Sequence, residues 1–116
     1  MSQTFILQHH KARRAGPHQD LYLEAGLSFV AYAIPKGIPT VGRTKHLAIK
    51  VADHTPSQVM FEGEITEGYG KGTKQIIDEG TYKYLTQDII EFIGSTFHGK
   101  YYLKHWEGNK YLIWRV

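Results

Sequence analysis

The chain has 116 residues, a hydrophobic fraction of 41% and a net charge of +3 at pH 7, which together predict one folded domain over residues 1–116 and exclude wholesale disorder. It contains no cysteine, which excludes a disulfide framework, a thiolate zinc site and a cysteine nucleophile. The modest positive charge is compatible with a nucleic-acid partner but is shared by many proteins that have none.

The start of the chain carries no recognisable export signal. Residues 1–7 lack a basic region followed by an apolar run, and no segment approaches the roughly 18 apolar residues of a membrane-spanning helix. Together with the missing cysteines, this predicts a cytoplasmic protein without a membrane partner.

Short runs of β-branched and aromatic residues follow one another along the chain, and glycine or proline interrupts nearly every helical window. The predicted strands cover residues 4–10, 19–25, 27–34, 45–52, 58–64, 80–85, 89–93, 100–106 and 110–116. Their spacing predicts an all-β fold, a small closed or partly open barrel of about eight strands with at most short helical turns. One such turn is predicted near residues 86–90.

The first functional candidates lie on the first two predicted strands. On the second strand, Leu21 and Leu23 face one way while His18 and Asp20 face the other, about 7 Å apart at Cα. His10, on the preceding strand, is placed to supply a third ligand to one cation. Two imidazoles and a carboxylate suit manganese, iron or zinc. The alternative is a solvated strand face with no ligand.

Basic residues flank these candidates. Arg13 and Arg14 follow His10 in the turn, where guanidinium groups can bind phosphate in bidentate fashion. Lys36 stands between a proline and a glycine at a strand end, from which its ammonium could reach an anion. The alternative for all three is a solvated loop.

The fourth predicted strand has two contrasting faces. Leu47, Ile49 and Val51 form an apolar face. The opposite face combines imidazoles, an ammonium and small side chains, namely His46, Ala48, Lys50, Ala52 and His54. This face predicts a phosphate-binding groove. The alternative is a solvent-exposed edge whose lysine discourages strand association.

Two turns carry distinctive glycines. Residues 66–73 form a predicted loop in which Gly68, Gly70 and Gly72 permit close backbone approach. Gly108 and Asn109 predict a tight hairpin between the last two strands.

Four separated blocks resemble, in order and spacing, the 3′-phosphoesterase domain of DNA ligase D. They are residues 8–24, the AIPKG of residues 33–37, residues 47–54 ending in Asp-His, and residues 61–82, which contain FEGEI, GYGKG and DEGTY. The resemblance covers almost the whole chain. It implies a small β-barrel enzyme, dependent on manganese or on another divalent metal such as zinc or cobalt. The implied reactions remove a 3′-terminal ribonucleoside and a 3′-phosphate, leaving a 3′-hydroxyl for DNA end joining.

Carried over residue by residue, the resemblance implies His10, His18 and Asp20 as metal ligands. It implies that His54 contacts the phosphate and that Lys36 is a basic residue of the active site. The resulting hypothesis is that a protonated His54 donates to the phosphate or to the leaving oxygen, while Lys36 neutralises developing charge.

Three positions depart from the family pattern. Arginine is usual where Tyr22 and His46 stand, and tyrosine where Gln58 stands; the spacing of the first two metal histidines also implies a two-residue insertion near residues 16–17. We still count His46 among the expected catalytic residues. The residues expected to bind phosphate or DNA are Arg13, Arg14, Arg43, Lys45, Lys50, Tyr22 and Gln58.

The resemblance implies DNA 3′ ends as the partner, in a prokaryotic cytoplasm. Because no ligase or polymerase region accompanies the domain, ligase, polymerase and end-binding proteins are expected as separate partners. The departures leave an alternative open, a catalytically weakened or inactive barrel that binds DNA ends. A cupin-like enzyme acting on a small molecule is a third alternative, but the His-x-His pattern of that class is missing.

Overall fold

The computed structural model describes residues 3–68 and 71–116, which form nine strands and one short helix. The strands are β1 (Gln3–Ala12), β2 (Gly16–Ala25), β3 (Ser28–Ile34), β4 (His46–His54), β5 (Gly63–Ile65), β6 (Gly72–Tyr84), β7 (Ile89–Gly94), β8 (His98–Glu107) and β9 (Lys110–Arg115), and the helix is α1 (Pro56–Met60). Within these residues, no helix has the length and apolar character needed to cross a membrane.

Eight antiparallel strands close into a barrel. Their order around the barrel is β1-β2-β3-β4-β9-β8-β7-β6, and the pairing of β6 with β1 closes the ring. The short β5 pairs with the first residues of β6, outside the ring. The predicted all-β barrel of about eight strands is therefore confirmed.

Apolar side chains from alternate strand positions fill the barrel. Phe5 and Leu7 of β1 and Leu21 and Leu23 of β2 all lie in the interior cluster, as the predicted alternation requires. Phe5 packs edge-on against Phe92, with ring centroids 5.2 Å apart. Since burying such a side chain stabilises the fold by about 1.5–3 kcal/mol, this interior fixes which face of β1 and β2 turns outward.

A second, smaller apolar cluster lies on the outside of the barrel. Ile6 and Tyr22 face outward from β1 and β2, and Val59 of α1 packs in the same cluster. The buried side-chain amide of Gln8 donates to the carbonyls of Val59 (2.7 Å) and Phe61 (2.9 Å). These contacts hold α1 against the outer face of the first two strands.

The strand predicted over residues 58–64 is wrong, because this segment forms most of α1 and then the short β5. Thr55 and Gln58 make a capping box, in which each side chain accepts the backbone N–H of the other residue. Pro56 occupies the first helical turn, where its missing N–H has no intrahelical partner to lose.

The helical turn predicted near residues 86–90 is also wrong. This segment is the turn between β6 and β7, in which the Thr86 hydroxyl accepts the N–H groups two and three residues later. Such local side-chain bonds compete with helix formation.

The glycine-rich loop predicted over residues 66–73 is shorter in the structure, because β6 begins at Gly72. Tyr69 and Gly70 lie outside the described residues. A side chain at Gly72 would collide with the carbonyl of Lys11, so the expected close backbone approach is confirmed at this glycine. The hairpin between β8 and β9 is confirmed as well, with Gly108 at a φ of 53°.

Asp78 of β6 anchors the turn between β7 and β8. Its carboxylate accepts four backbone N–H groups at 2.6–3.0 Å, those of Glu79, Ser95, Thr96 and Phe97. Burial alone would raise the pKa of Asp78, but these hydrogen bonds hold it below its ordinary value.

We expect Asp78→Asn to lower the free energy of unfolding by about 2–4 kcal/mol at pH 7, because an amide NH₂ would face backbone donors. A lowered carboxyl pKa contributes stability above the ordinary aspartate pKa and loses it as the pH falls through the lowered value. Urea unfolding should therefore separate the variant from the wild type at neutral pH and bring them together in acid. Asp53→Asn, at an exposed position of β4, is the control; equal stability of Asp78→Asn and wild type at pH 7 would contradict the anchoring role.

Candidate metal and phosphate site

Three candidate metal ligands meet on the outer face of the β1–β2 hairpin. His10 and His18 are directly opposite each other, and Asp20 is opposite Gln8, two residues further along the hairpin. Because Leu21 faces the barrel interior, its neighbour Asp20 must face outward. The strand alternation thus places all three side chains on one face, as predicted.

The carboxylate of Asp20 lies between the two imidazoles. Its Oδ2 is 3.3 Å from Nδ1 of His10, and its Oδ1 is 3.1 Å from Nε2 of His18. One donor atom from each residue falls within 4.8 Å of the other two. Two imidazole nitrogens and a carboxylate oxygen are a donor set that fits manganese, iron or zinc.

These contacts shift the pKa values of His18 and Asp20. The hydrogen bond to Asp20 raises the pKa of His18 despite partial burial, with a further contribution from the Gly16 carbonyl, 3.1 Å from Nδ1. Burial would raise the pKa of Asp20, but the hydrogen bond from His18 and nearby positive charge hold it below the ordinary value. A cation held by this set would compete with the shared proton, so metal binding is coupled to proton release.

The three candidate ligands His10, His18 and Asp20, here called the ligand triad, line a cavity of about 590 Å³. Apart from the triad, its polar wall includes His54, Gln58 and Lys74, and its apolar wall includes Val51. A cation and an anion of phosphate size can therefore be accommodated side by side.

His54 reaches this cavity through a bulge in β4. Between its pairings at Ala31 and Phe29 of β3, β4 advances three residues, from Val51 to His54. The extra residue reverses the alternation, so His54 shares the outward face with Val51 and lies 5.2 Å from the Tyr22 ring, centroid to centroid. Its Nδ1 is 2.9 Å from the carbonyl of Ala52, which leaves Nε2 for a ligand.

The bulge corrects the predicted phosphate groove on β4, which grouped His46 with His54. Ala48 is fully buried in the barrel interior, so the face that it shares with His46 turns inward. The Nδ1 of His46 lies 2.7 Å from the carbonyl of Gly37. His46 does not line the cavity that contains His54.

Tyr22 and Gln58, two of the positions that depart from the family pattern, lie at the site. The Tyr22 hydroxyl is buried and lies 3.4 Å from Oδ2 of Asp20, to which it donates. Burial raises the pKa of Tyr22, so this hydroxyl stays protonated. Gln58 lines the cavity, but its side-chain oxygen accepts the N–H of Thr55 and so serves the helix cap.

The sequence reasoning missed Lys74, which lines the cavity, and Gln8, whose amide holds α1 against the strands. Lys74 of β6 is opposite His10, and its ammonium donates to the Tyr22 hydroxyl at 3.0 Å. Burial lowers the pKa of Lys74, and the charge of Asp20 acts in the opposite direction. Neither residue was singled out within its sequence block; extending the predicted strand of residues 80–85 back to Gly72 would have placed Lys74 beside His10.

The remaining basic candidates lie outside the cavity wall. Arg13 and Arg14 are exposed in the turn of the ligand hairpin, between His10 and His18 in sequence. Lys36 and Arg43 are exposed on the connection between β3 and β4. Lys45 is exposed on the same connection, with its ammonium 4.7 Å from the centroid of the Trp114 ring.

Lys50 lies further along β4, where its backbone N–H donates to the β8–β9 hairpin at 2.8 Å. Of these basic candidates, only the turn arginines lie on the same hairpin as the ligand triad.

Comparison with known proteins identifies a family. The DNA ligase D 3′-phosphoesterase domain family matches residues 8–110. The non-homologous end joining DNA repair protein LigD of Mycobacterium tuberculosis H37Rv is 36% identical over 122 residues, covering 97% of this chain and 16% of that protein. LigD of Mycolicibacterium smegmatis is 31% identical over 131 residues, covering 99% of this chain and 17% of that protein. The chain thus spans about a sixth of the length of these relatives.

Proposed function

Because the chain belongs to the DNA ligase D 3′-phosphoesterase domain family, we propose that it hydrolyses phosphate esters at DNA 3′ ends with a divalent cation held by His10, His18 and Asp20. The proposed reactions are a 3′-phosphodiesterase step that removes a terminal ribonucleoside and a 3′-phosphomonoesterase step that leaves a 3′-hydroxyl. The observation that carries the proposal is the convergence of three ligand atoms within 4.8 Å, beside a cavity that also contains His54. Manganese is the proposed cation, with zinc or cobalt as alternatives.

Each side chain has a distinct proposed role. When bound, a divalent cation would polarise a phosphate oxygen and lower the pKa of a coordinated water. Asp20 holds the two imidazoles in place through its two oxygens. The Nε2 of His54 donates to the phosphate or to the leaving oxygen when the ring is protonated. Arg13 and Arg14 bind the DNA backbone beside the site.

The proposed partner is a DNA 3′ end, and the proposed setting is end joining in a prokaryotic cytoplasm. The named relatives are multifunctional end-joining proteins of which this chain corresponds to one part. Ligase, polymerase and end-binding activities are therefore proposed to come from outside the 116 residues.

The test is release of 3′-phosphate and of a terminal ribonucleoside from synthetic duplexes, with EDTA or with added manganese, zinc or cobalt. We expect release with at least one cation and none with EDTA, because the donor set requires a metal to act on phosphate. A protein that binds manganese but releases neither product with any of the three cations would overturn the enzymatic proposal.

A second candidate, binding of DNA ends without cleavage, is favoured by one specific observation. Lys45 and Lys50, which were expected to bind phosphate or DNA where the family's usual arginines are missing, lie outside the cavity. Loss of one charge-stabilising donor commonly slows a reaction by about 10²–10³-fold. Tight binding of 3′-phosphorylated ends without turnover would support this candidate, whereas metal-dependent turnover that is lost in His54→Ala would exclude it.

A further inference from the structure

Lys74 is a buried ammonium that borders the cavity beside the metal ligands. Only 9% of the residue is exposed, and it lines the same cavity as His10 and His54. In the barrel, Lys74, His10 and His18 form one row across β6, β1 and β2, because His10 is opposite both of the others. Adjacent positions in such a row are about 4.5–5.5 Å apart at Cα.

A bulge in β6 gives Lys74 this orientation. The register between β1 and β6 shifts after Leu7, so that Asp78 is opposite Leu7 while Ile76 is opposite Gln8, and Ile77 is the extra residue. Asp78 therefore faces inward and anchors a turn, whereas Lys74 faces outward with His10. Without the bulge, Lys74 and Asp78 would share one face.

The ammonium of Lys74 has more donors than partners within the described part of the chain. It makes one hydrogen bond there, to the neutral hydroxyl of Tyr22 at 3.0 Å, and no ion pair. Asp20 is reached only through that hydroxyl. An ammonium has three N–H donors, and a buried charge is unfavourable unless it is paired. Lys74 thus presents donors to a cavity next to a site suited to a dication.

We propose that Lys74 forms a phosphate subsite in this cavity, where its ammonium donates to a non-bridging oxygen of a 3′-phosphate whose other oxygens face the metal ligands and His54. A phosphate fits this position because it has several charged oxygens and can contact a lysine, an imidazole and a cation together. The subsite rests on the proposed function only for the identity of its substrate. It assigns to Lys74 the positive charge that Lys36, Lys45 and Lys50 do not bring to the cavity wall.

The test measures binding of a deoxynucleoside 3′-monophosphate by calorimetry, with manganese present. We expect Lys74→Met, which keeps the length of the side chain, to weaken binding roughly 10- to 100-fold, since one charged hydrogen bond is lost. Lys83→Met is the matched control, because Lys83 lies on the same strand with 64% of its side chain exposed. It should bind within about twofold of wild type.

Manganese binding without nucleotide is the second readout. Because Lys74 is not a ligand, Lys74→Met should bind manganese at least as well as wild type, whereas a variant that merely distorts the site would lose manganese and nucleotide together. Lys74→Arg should retain most of the nucleotide affinity, and Lys74→Gln provides a second uncharged variant should Lys74→Met fail to fold.

The subsite would be overturned if the folded uncharged variant bound the nucleotide as tightly as wild type. It would also be overturned if the variant lost manganese and nucleotide binding together, or if the wild-type protein bound no nucleotide 3′-phosphate. Binding through Lys74 without any release of phosphate from DNA would refute the proposed function and leave the subsite standing. Turnover that is unchanged in Lys74→Met would refute the subsite and leave the proposed function standing.

Discussion

Asp20→Asn is expected to abolish cation binding and to lower phosphoesterase activity by about 10³-fold. Asp20 is the one anionic member of the ligand triad, and its two oxygens contact His10 and His18 at 3.3 and 3.1 Å. An amide of the same size is neutral and can offer only one oxygen, so the charge that attracts a dication is lost along with one contact to an imidazole.

Calorimetric titration with manganese and an assay of 3′-phosphate release measure the two effects on the same protein. Asp88→Asn, in the turn between β6 and β7, is the control and should leave both unchanged. The barrel should remain folded in Asp20→Asn, because its interior is built by residues of the opposite face, such as Leu21 and Leu23. Undiminished activity in both Asp20→Asn and His18→Ala would refute the metal site.

The ligand triad could be predicted from sequence because it depends on local structure alone. His10, His18 and Asp20 lie on one hairpin, where a turn and strict side-chain alternation decide which groups share a face. The same alternation places Leu21 and Leu23 in the barrel interior. The number and spacing of short strands predicted a barrel of about eight strands, closed or partly open. The segment after β4 was assigned to the wrong kind of element.

Bulges explain most of what the sequence could not predict at the site. One extra residue in β4 places His54 on the opposite face of the sheet from His46. In β6, the extra residue Ile77 likewise places Lys74 and Asp78 on opposite faces. A bulge is decided by pairing with a strand that is distant in sequence, and it reverses every later side chain on its strand. Gln8 was missed for a related reason, since its amide acquires a role only when α1 packs over β1.

His54→Ala is expected to reduce turnover by about 10²–10³-fold while manganese binding stays intact. The bulge in β4 places His54 on the cavity wall, and its Nδ1 contact with the Ala52 carbonyl leaves Nε2 for the phosphate. His54 is not one of the three grouped ligands, so removal of its ring takes away a donor to the substrate and leaves the cation site unchanged.

His46→Ala is the matched comparison, because strand alternation predicted the same face for both histidines and both were expected to be catalytic. In the structure the Nδ1 of His46 lies 2.7 Å from the Gly37 carbonyl, away from the cavity wall. Its loss should therefore cost about 1 kcal/mol of folding stability and change turnover only a few-fold. Steady-state kinetics at saturating manganese, together with thermal unfolding of both variants, separate the two roles. Equal losses of turnover in the two variants would mean that His46 also acts at the phosphate. The different faces that the bulge gives the two histidines would then not correspond to different functions.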